Sequence, residues 1–348
     1  MKLLIKIAAI VCALMTVGVH AQTEISGAGS SLAYPVIKEL TKLYKAQTKV
    51  AINYTSVGSG EGIVQMAARV VDFSLSDIPL TQYELNDQNL VQFPVFASAI
   101  VPVLNLPGVE KGKLQLNGSV LADIYLGRIT QWDDPAIQAL NSDLQLPKLP
   151  IKVVYRSDIS GSSYVFTSYL SRSSVHWNTH YGIGSKLNWP IGQGVKGSAG
   201  VEQFVLNNEG AIGYLEYGAA SSAALDIPGL LLNGKKVVAN YANFIGAFNA
   251  MSPVRSSFYQ FTAPISIQNA WPIIAITYAL VSKRPTDDEE VRGSLQFFYW
   301  LYQSGGTTIQ SFNLLPIDNK KMLPKIEAQW ASISNPKGKP VWVEGAKN

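Results

Sequence analysis

The sequence predicts an α/β protein of two lobes. Short apolar runs bounded by glycine, proline and serine alternate with segments of helical periodicity, which is typical of βα units and largely parallel sheets. The 348 residues correspond to two domains at about 150 residues each. Charged residues make up 15% of the chain and hydrophobic residues 47%, a balance that excludes disorder and coiled coil.

The N-terminal segment has the pattern of a secretory signal peptide. Lys2 and Lys6 flank the start of an apolar run over residues 7–19, which ends at the small-residue site Val19-His20-Ala21. A basic region, a short apolar region and a terminal small residue are the three parts of a cleavable export signal. We therefore expect cleavage after Ala21 and assign residues 1–21 to the signal peptide.

The rest of the chain contains no cysteine. Cys12, the only one, lies within the signal peptide, and Val11 stands where a lipoprotein cysteine needs a small residue. No other stretch has the roughly 18 uninterrupted apolar residues of a membrane span. The net charge of +4 comes without a long basic run, so nucleic-acid binding is not indicated. We expect an exported, soluble protein.

Strands and helices alternate in the predicted first lobe. Pro35 opens the first helix, since proline suits the first helical turn. Apolar residues at helical spacing predict a second helix, with Ile63, Val64, Ala67 and Val71 on its buried face. The predicted order is strand 24–26, turn 27–31, helix from Pro35, strand 51–55, turn 58–62, helix, and a strand over 72–77 that runs into a loop.

The apolar stretch 93–106 is predicted to leave the first lobe. In the second lobe Asp134-Pro135 begins a short helix, because a carboxylate cap and proline favour a helix start, and Asn233-Gly234 predicts a hairpin turn. The other elements are a strand over 151–155, a serine-rich turn over 157–163 with a helix after it, a glycine-rich stretch over 192–200, a helix through Phe204 and Val205, a strand over 211–215, a strand over 271–281, and a helix from about 286 to 302 with acids in its first turn. Two lobes with a strand crossing in each direction fit this order.

Three turns combine glycine with serine immediately before a helix. They are Gly29-Ser30-Ser31, Gly58-Ser59-Gly60 and Ser160-Gly161-Ser162-Ser163. Helix N-termini carry unpaired N–H groups and a partial positive charge, glycine allows close approach, and a serine hydroxyl adds a donor, so such turns favour anions. Serine also caps helices that bind nothing, and that interpretation stays open for each turn taken singly.

Three charged residues sharpen this interpretation. Arg156 follows a predicted strand, and its guanidinium could hold a tetrahedral oxyanion through two hydrogen bonds, with Asp158 placed to orient it. Asp77 also follows a strand. A carboxylate repels an anion unless the anion can donate a proton to it, so Asp77 predicts selection of hydrogen phosphate over sulfate. The alternative is that Asp77 only caps a turn before Pro79.

From about Ser26 to Trp330 the chain resembles the periplasmic phosphate-binding proteins of high-affinity phosphate ABC importers, a PBP-like family. The motifs that carry the resemblance are Gly27-Ala28-Gly29, Val71-Asp72-Phe73 with Ser76-Asp77, Asp123-Ile124-Tyr125-Leu126-Gly127 with Trp132-Asp133-Asp134, Arg156-Ser157-Asp158 with Ser160-Gly161-Ser162, Trp189-Pro190-Ile191-Gly192, Gly210-Ala211-Ile212-Gly213-Tyr214 and Ala270-Trp271-Pro272-Ile273.

The resemblance implies a two-lobe periplasmic binding protein of the class II type, which closes on its ligand about a hinge. Each lobe would be a mixed, mostly parallel sheet flanked by helices, with the ligand in the cleft between the lobes. Residues 22–100 and 271–348 would form lobe 1, and residues 101–270 lobe 2. The implied ligand is inorganic phosphate, and the implied partners are the membrane permease and ATPase subunits of a phosphate ABC importer. No cofactor, metal, catalysis or nucleic acid is implied, and a monomer in the periplasm is expected.

The resemblance also implies a set of phosphate contacts. These are Ser31, the backbone of Leu32, Ser59, Arg156, Ser160, Gly161 and Ser162 as donors, Asp77 as acceptor of the phosphate proton, and Asp158 as the partner of the arginine. The chain departs from the usual family residues in having Ser31 for threonine, Leu32 for phenylalanine, Ser162 for threonine and Ile159 for glycine. Glu61 stands in a stretch that is usually small and glycine-rich, and we expect it to face solvent.

The same residues leave other functions open. Arsenate shares the shape and the proton of phosphate, and a binding protein for another oxyanion or a secreted phosphatase or scavenger relative are further alternatives. Neither Ser59 nor Ser160 lies in a Gly-x-Ser-x-Gly elbow, and no Walker motif occurs. Leu32 replaces the third glycine of a dinucleotide-binding fingerprint. His176 and His180 are expected to be a surface pair and not a zinc site.

Overall fold

The computed structural model describes residues 24–251 and 269–342. The predicted signal peptide lies outside the described residues. Within them, no helix combines the length and the apolar character that a membrane crossing requires.

The strands in this part of the chain are β1 (Ile25–Gly29), β2 (Ile52–Ser56), β3 (Phe73–Ser76), β4 (Leu90–Leu104), β5 (Gln115–Leu116), β6 (Lys152–Arg156), β7 (Gln193–Val195), β8 (Ala211–Glu216), β9 (Gly229–Leu232), β10 (Lys235–Val237), β11 (Ile274–Ser282) and β12 (Leu315–Pro316). The helices are α1 (Tyr34–Thr48), α2 (Ser59–Ala67), α3 (Gln82–Asp87), α4 (Gly118–Tyr125), α5 (Pro135–Gln138), α6 (Gly161–Ser173), α7 (Val175–His180), α8 (Gly197–Asn207), α9 (Tyr217–Ser222), α10 (Tyr241–Ala250), α11 (Asp288–Ser304), α12 (Gly306–Ser311) and α13 (Asn319–Trp330).

One large sheet runs through the molecule. Its strand order over the described residues is β2-β1-β3-β11-β4-β8-β6-β7, with β12 beside β4. The outer strands pair in parallel at both ends, whereas β11 and β4 are antiparallel to their neighbours. The predicted α/β fold is confirmed, as a mixed sheet whose parallel pairing is confined to the outer strands.

The strand β4 joins the two halves of this sheet. Its 15 residues are all buried, and a strand covered on both faces has a nearly continuous apolar sequence. It pairs with β11 as far as Ala99 and with β8 from Ile100 onward. We call the half with β1, β2, β3 and β11 lobe 1, and the half with β6, β7 and β8 lobe 2.

The prediction that a strand crosses in each direction is only half right. The register of β11 runs from Ile274 beside Ala99 to Ser282 beside Leu90, so β11 stays within lobe 1. Among the described residues, β4 is the one strand that pairs within both lobes.

One prediction about lobe 1 is wrong and a second is only partly right. The predicted turn over residues 27–31 begins too early, because β1 continues to Gly29. The predicted apolar face of α2 is only partly right: two of its four residues are half-buried against the core, but Val64 is 57% exposed. The helix instead packs on β1 through small residues: a Cβ on Gly62 would lie 2.5 Å from the Cα of Gly29. This close packing brings the start of α2 next to the end of β1.

Lobe 2 follows its predicted order. Asp134 caps α5 by accepting a hydrogen bond from the N–H of Ala136 at 2.8 Å, and Asn233-Gly234 joins β9 and β10 as a hairpin. The core of lobe 2 contains an aromatic cluster in which Tyr214 stacks on Phe166, with ring centroids 4.5 Å apart. The Tyr214 hydroxyl accepts the backbone N–H of Arg156 at 3.2 Å, so the core of lobe 2 holds the end of β6 in place.

Candidate functional site

The site lies where the predicted serine turns of both lobes meet. In lobe 1 two of these turns follow β1 and β2, and their serines do not cap the helices. The N-cap residues are Ala33 for α1 and Gly58 for α2, and neither helix has a side-chain cap. The hydroxyls of Ser30 and Ser59 are therefore not engaged as helix caps, and both point to Asp77.

Asp77 follows β3 and is buried, with 3% of its surface exposed. Ser30 donates to its Oδ2 at 2.5 Å, Thr277 of β11 donates to its Oδ1 at 2.6 Å, and the Ser59 hydroxyl lies 3.4 Å from Oδ2. The Ser59 hydroxyl also accepts the backbone N–H of Asp77 at 3.2 Å. Asp77 is therefore a buried carboxylate surrounded within its own lobe by hydroxyl groups.

Lobe 2 presents a buried arginine. Arg156 ends β6, and its Nε and Nη2 donate to the two carboxylate oxygens of Asp158 at 2.7 and 2.5 Å. Its Nη1 donates to the Ser198 hydroxyl at 3.3 Å. The N–H of Gly197 also bonds Asp158, at 3.1 Å. This two-pronged pairing fixes the plane of the guanidinium.

The helix α6 supplies the remaining donors of lobe 2. Ser160 is its N-cap, and its hydroxyl accepts the N–H of Ser163 at 3.2 Å. The N–H of Ser160 donates to the carbonyl of Ser185 at 2.9 Å, so Ser160 can offer an oxyanion only its hydroxyl hydrogen. The N–H groups of Gly161 and Ser162 belong to the first helical turn, which has no intrahelical acceptors for them.

The two lobes are in contact around this site. The N–H of Gly60 in lobe 1 donates to the carbonyl of Ile159 in lobe 2 at 3.1 Å, and the hydroxyls of Ser31 and Ser198 lie 3.0 Å apart. Gly161 faces Asp77 so closely that an added Cβ would lie 2.4 Å from the Asp77 Cβ. The cleft is therefore closed at Asp77, and a larger residue at position 161 would hold the lobes apart.

A groove of about 380 Å³ runs beside the site, and Ser31, Leu32, Gly58, Asp158, Ser198 and Glu216 are among its lining residues. Glu216 ends β8 and accepts the N–H groups of Gly218 and Ala219 at 2.7 and 2.9 Å. It lies at the junction of the lobes, because its partner in β4 is Ile100.

The carboxyl groups differ in how readily they ionise. Burial raises the pKa of Asp77, although the hydroxyl bonds from Ser30, Thr277 and Ser59 and the charge of Arg156 act against the rise. Burial also acts to raise the pKa of Asp158, but its bonds and charge attraction to Arg156 hold it below its usual value. Burial raises the pKa of Glu216 to about 7, against its backbone hydrogen bonds and with help from the charge of Asp77.

The eight predicted contact residues lie at or beside one cleft. The structure groups them at the closed cleft, and the set is Ser31, Leu32, Ser59, Asp77, Arg156, Ser160, Gly161 and Ser162, with Asp158 on Arg156. Their contact with a ligand stays a prediction. Glu61 faces solvent, as expected, and its carboxylate accepts a hydrogen bond from Gln65.

Sequence reasoning missed three residues of the site: Ser30, Ser198 and Thr277. Gly197-Ser198 begins a helix, so the glycine–serine signature used for the other turns could have found Ser198. Ser30 lies in a predicted serine turn, but the resemblance assigns the ligand contact to its neighbour Ser31. Thr277 lies in the middle of an apolar strand, and nothing in its local sequence marks it.

The histidine pair lies apart from this site, in α7. His176 is half-buried and His180 is exposed, with ring centroids 4.1 Å apart. Over residues 24–251 and 269–342, no group of three or more His, Cys, Asp or Glu side chains is arranged to hold a metal ion.

Comparisons with known proteins give consistent results. Residues 17–304 match the family model of the PBP superfamily domain. The phosphate-binding protein PstS of Xylella fastidiosa is 38% identical over 311 residues, which cover 89% of this chain and 85% of that protein. The PstS of Pasteurella multocida is 35% identical over 339 residues, which cover 93% and 94%.

A solved structure shares the fold. It is that of a putative phosphate ABC transporter substrate-binding protein from Clostridium perfringens with bound phosphate, which aligns with a TM-score of 0.63 at 19% identity over 85% of this chain and 100% of the other. At that identity the likeness concerns the two-lobe fold alone.

Proposed function

The chain belongs to the PBP superfamily and, within it, to the family of PstS phosphate-binding proteins, and from this membership we propose that it captures inorganic phosphate in the periplasm and delivers it to an ABC-type import permease. The observation that carries the proposal is the buried Asp77 carboxylate, closed in by the first turn of α6 and within the electrostatic reach of Arg156. Hydrogen phosphate can bind the helix turn, the arginine and the carboxylate together, because it accepts from N–H and guanidinium donors and still has a hydrogen for the carboxylate.

The proposed contacts divide between the lobes. Ser31, the Leu32 N–H, Ser59 and Asp77 act from lobe 1. Arg156, Ser160, Gly161 and Ser162 act from lobe 2. Asp158 keeps the guanidinium fixed without touching the ligand. Residues 22–100 with 271–348 and residues 101–270 then move as two bodies that close on phosphate, in the manner of a hinge.

The proposed setting follows from the same family. The signal peptide over residues 1–21 directs export, and the mature monomer works in the periplasm without a cofactor and without a catalysed reaction. Its partners are the permease and ATPase subunits of the importer. Arsenate is expected to compete for the site, since it has the same shape and carries the same hydrogen.

Competition calorimetry with phosphate, arsenate and sulfate between pH 6 and pH 8 tests the function. We expect tight binding of phosphate, competition by arsenate and no displacement by millimolar sulfate. Failure of phosphate to bind, or hydrolysis of a phosphate ester by the pure protein, would contradict the proposal.

A further inference from the structure

Asp77 can select a protonated oxyanion only while it is ionised and correctly oriented. A neutral Asp77 would itself be a hydrogen donor, and a donor suits sulfate as well as it suits phosphate. The residues that keep Asp77 an acceptor therefore decide the selectivity of the site. This step rests on the proposed function.

The hydroxyls of Ser30 and Thr277 are placed to keep Asp77 an acceptor. The Ser30 oxygen accepts the backbone N–H of Ala33 at 3.3 Å, which leaves its single hydrogen for Asp77 Oδ2 at 2.5 Å. Thr277 is wholly buried, and its hydroxyl donates to the other carboxylate oxygen at 2.6 Å. One hydroxyl thus engages each oxygen, and both donate to the charged form.

Ser59 has a different part. Its hydroxyl is 3.4 Å from Asp77 Oδ2, a long contact for an O–H···O bond. Small rotations can therefore turn this hydrogen to a ligand, whereas Ser30 and Thr277 are committed to the carboxylate. A hydroxyl whose hydrogen is engaged by Asp77 has none to offer an oxyanion, so neither residue competes for the ligand.

The remaining groups near Asp77 have opposite effects on its ionisation. Arg156 of β6 favours its ionised form. Glu216 of β8 and the buried Tyr54 of β2 are electrostatically coupled to Asp77, and a negative charge on either would disfavour ionisation. Burial of the carboxylate disfavours it as well. The two hydroxyl bonds are thus needed to keep a buried carboxylate charged beside an incoming anion.

We propose that Ser30 and Thr277 are selectivity-determining residues, which hold Asp77 as a fixed, ionised acceptor so that the site rejects oxyanions that carry no hydrogen. They are positioning residues, since they act on the ligand through Asp77.

The test compares Thr277→Val, which removes the hydroxyl at nearly constant shape, with Thr277→Ser, which keeps it. The double variant Ser30→Ala/Thr277→Val removes both hydroxyls. Ser74→Ala is the matched control, because Ser74 is a buried serine of β3 whose hydroxyl has no hydrogen-bond partner in the described part of the chain. Phosphate and sulfate affinities are measured by calorimetry at pH 6 and pH 8.

Wild type, Thr277→Ser and Ser74→Ala are expected to keep the same preference for phosphate. Thr277→Val should lose about tenfold of this preference, and the double variant should lose more. The loss should be larger at pH 6 than at pH 8, because burial raises the pKa of Asp77 and a lower pH favours its neutral form. A carbon NMR titration of the Asp77 carboxyl in a Glu216→Gln background should show a higher pKa when the hydroxyls are removed.

The outcomes separate the two proposals. A wild-type protein that fails to bind phosphate contradicts the proposed function. A selective wild type with an unchanged phosphate preference in Thr277→Val, or an unchanged pKa of Asp77, overturns only the role of Ser30 and Thr277. If the double variant does not fold, the pair of Thr277 variants decides the question alone.

Discussion

The two lobes face the cleft with opposite charges, and these charges are compensated in different ways. In lobe 2 the positive charge of Arg156 is matched within the same lobe by Asp158. In lobe 1 the nearest partners of Asp77 are neutral hydroxyls, and among the described residues of that lobe no cation is paired with it. Under the proposed function, lobe 2 is therefore a preformed donor surface that suits any tetrahedral oxyanion, while lobe 1 decides which oxyanion is accepted.

The difference has an electrostatic cause. Removing one member of a buried ion pair leaves the other uncompensated, which costs several kcal/mol. The Arg156–Asp158 pair avoids this cost before any ligand arrives, so its geometry is ready. Asp77 remains an incompletely compensated buried charge, and a ligand that donates a hydrogen to it improves its surroundings.

The largest effect is expected from removing the cation of lobe 2. Arg156→Ala should weaken phosphate binding by roughly two to four decades, since at least two charge-assisted hydrogen bonds worth about 1.5–3 kcal/mol each are lost. Calorimetry measures the change. Arg128→Ala removes an exposed arginine of the same lobe, paired with Asp123 at the surface, and should leave the affinity intact. Equal affinities for wild type and Arg156→Ala would refute the assignment.

The next effect should appear in selectivity, because Asp77→Asn replaces the acceptor of lobe 1 by an amide that can donate. We expect millimolar sulfate to compete with phosphate in this variant and not in the wild type, which competition calorimetry at pH 7.5 would show. Glu61→Gln removes a solvent-facing carboxylate at the start of α2 and should change nothing. A variant Asp77→Asn that still ignores sulfate would show that Asp77 is not the filter.

A smaller effect concerns the junction between the lobes. The pKa of Glu216 is about 7 in the folded protein, against about 4.5 for an ordinary glutamate. Between these two pH values the folded state therefore binds more protons at Glu216 than the unfolded state does. The free energy of unfolding should therefore fall as pH rises through this window, by at most about 1.4 kcal/mol per unit.

Urea unfolding of the phosphate-free protein at pH 4.5, 5.5, 6.5 and 7.5 measures this slope. Glu216→Gln should flatten it, whereas Glu110→Gln, which alters an exposed carboxylate, should not. A slope shared by wild type and Glu216→Gln would contradict the raised pKa.

The smallest effect is expected at the contact between the lobes. Ile159 lies over Gly60, where an added Cβ would come within 2.3 Å of its side chain, and its carbonyl accepts the Gly60 N–H. Ile159→Ala keeps the backbone bond and removes part of this packing. We expect less than a tenfold loss of phosphate affinity and a slightly more open ligand-free protein, measured by small-angle scattering. A tighter-binding variant would show that Ile159 obstructs closure.

The fold was predictable in outline because its signals are local. The alternation of apolar strands with amphipathic helices follows from short-range periodicity, and Asp134-Pro135 and Asn233-Gly234 each specify a local backbone geometry. The buried face of α2 was only partly predictable in this way, since Ser59, Gly60 and Gly62 on it show no hydrophobic periodicity. A helix that packs through Gly62 onto Gly29 is recognised only when both backbones are present.

The sequence by itself determined which chemical groups are available: serine and glycine before helices, an arginine at the end of β6 and an aspartate after β3. Only the tertiary structure decided which hydroxyls act on Asp77, since Ser30 and Thr277 lie 47 and 200 residues away from it along the chain. The physical reason is that a hydrogen bond depends on ångström distances between side chains of different strands. Those distances are set by the pairing of β3 with β1 and β11, and the residues next to Thr277 carry no trace of that pairing.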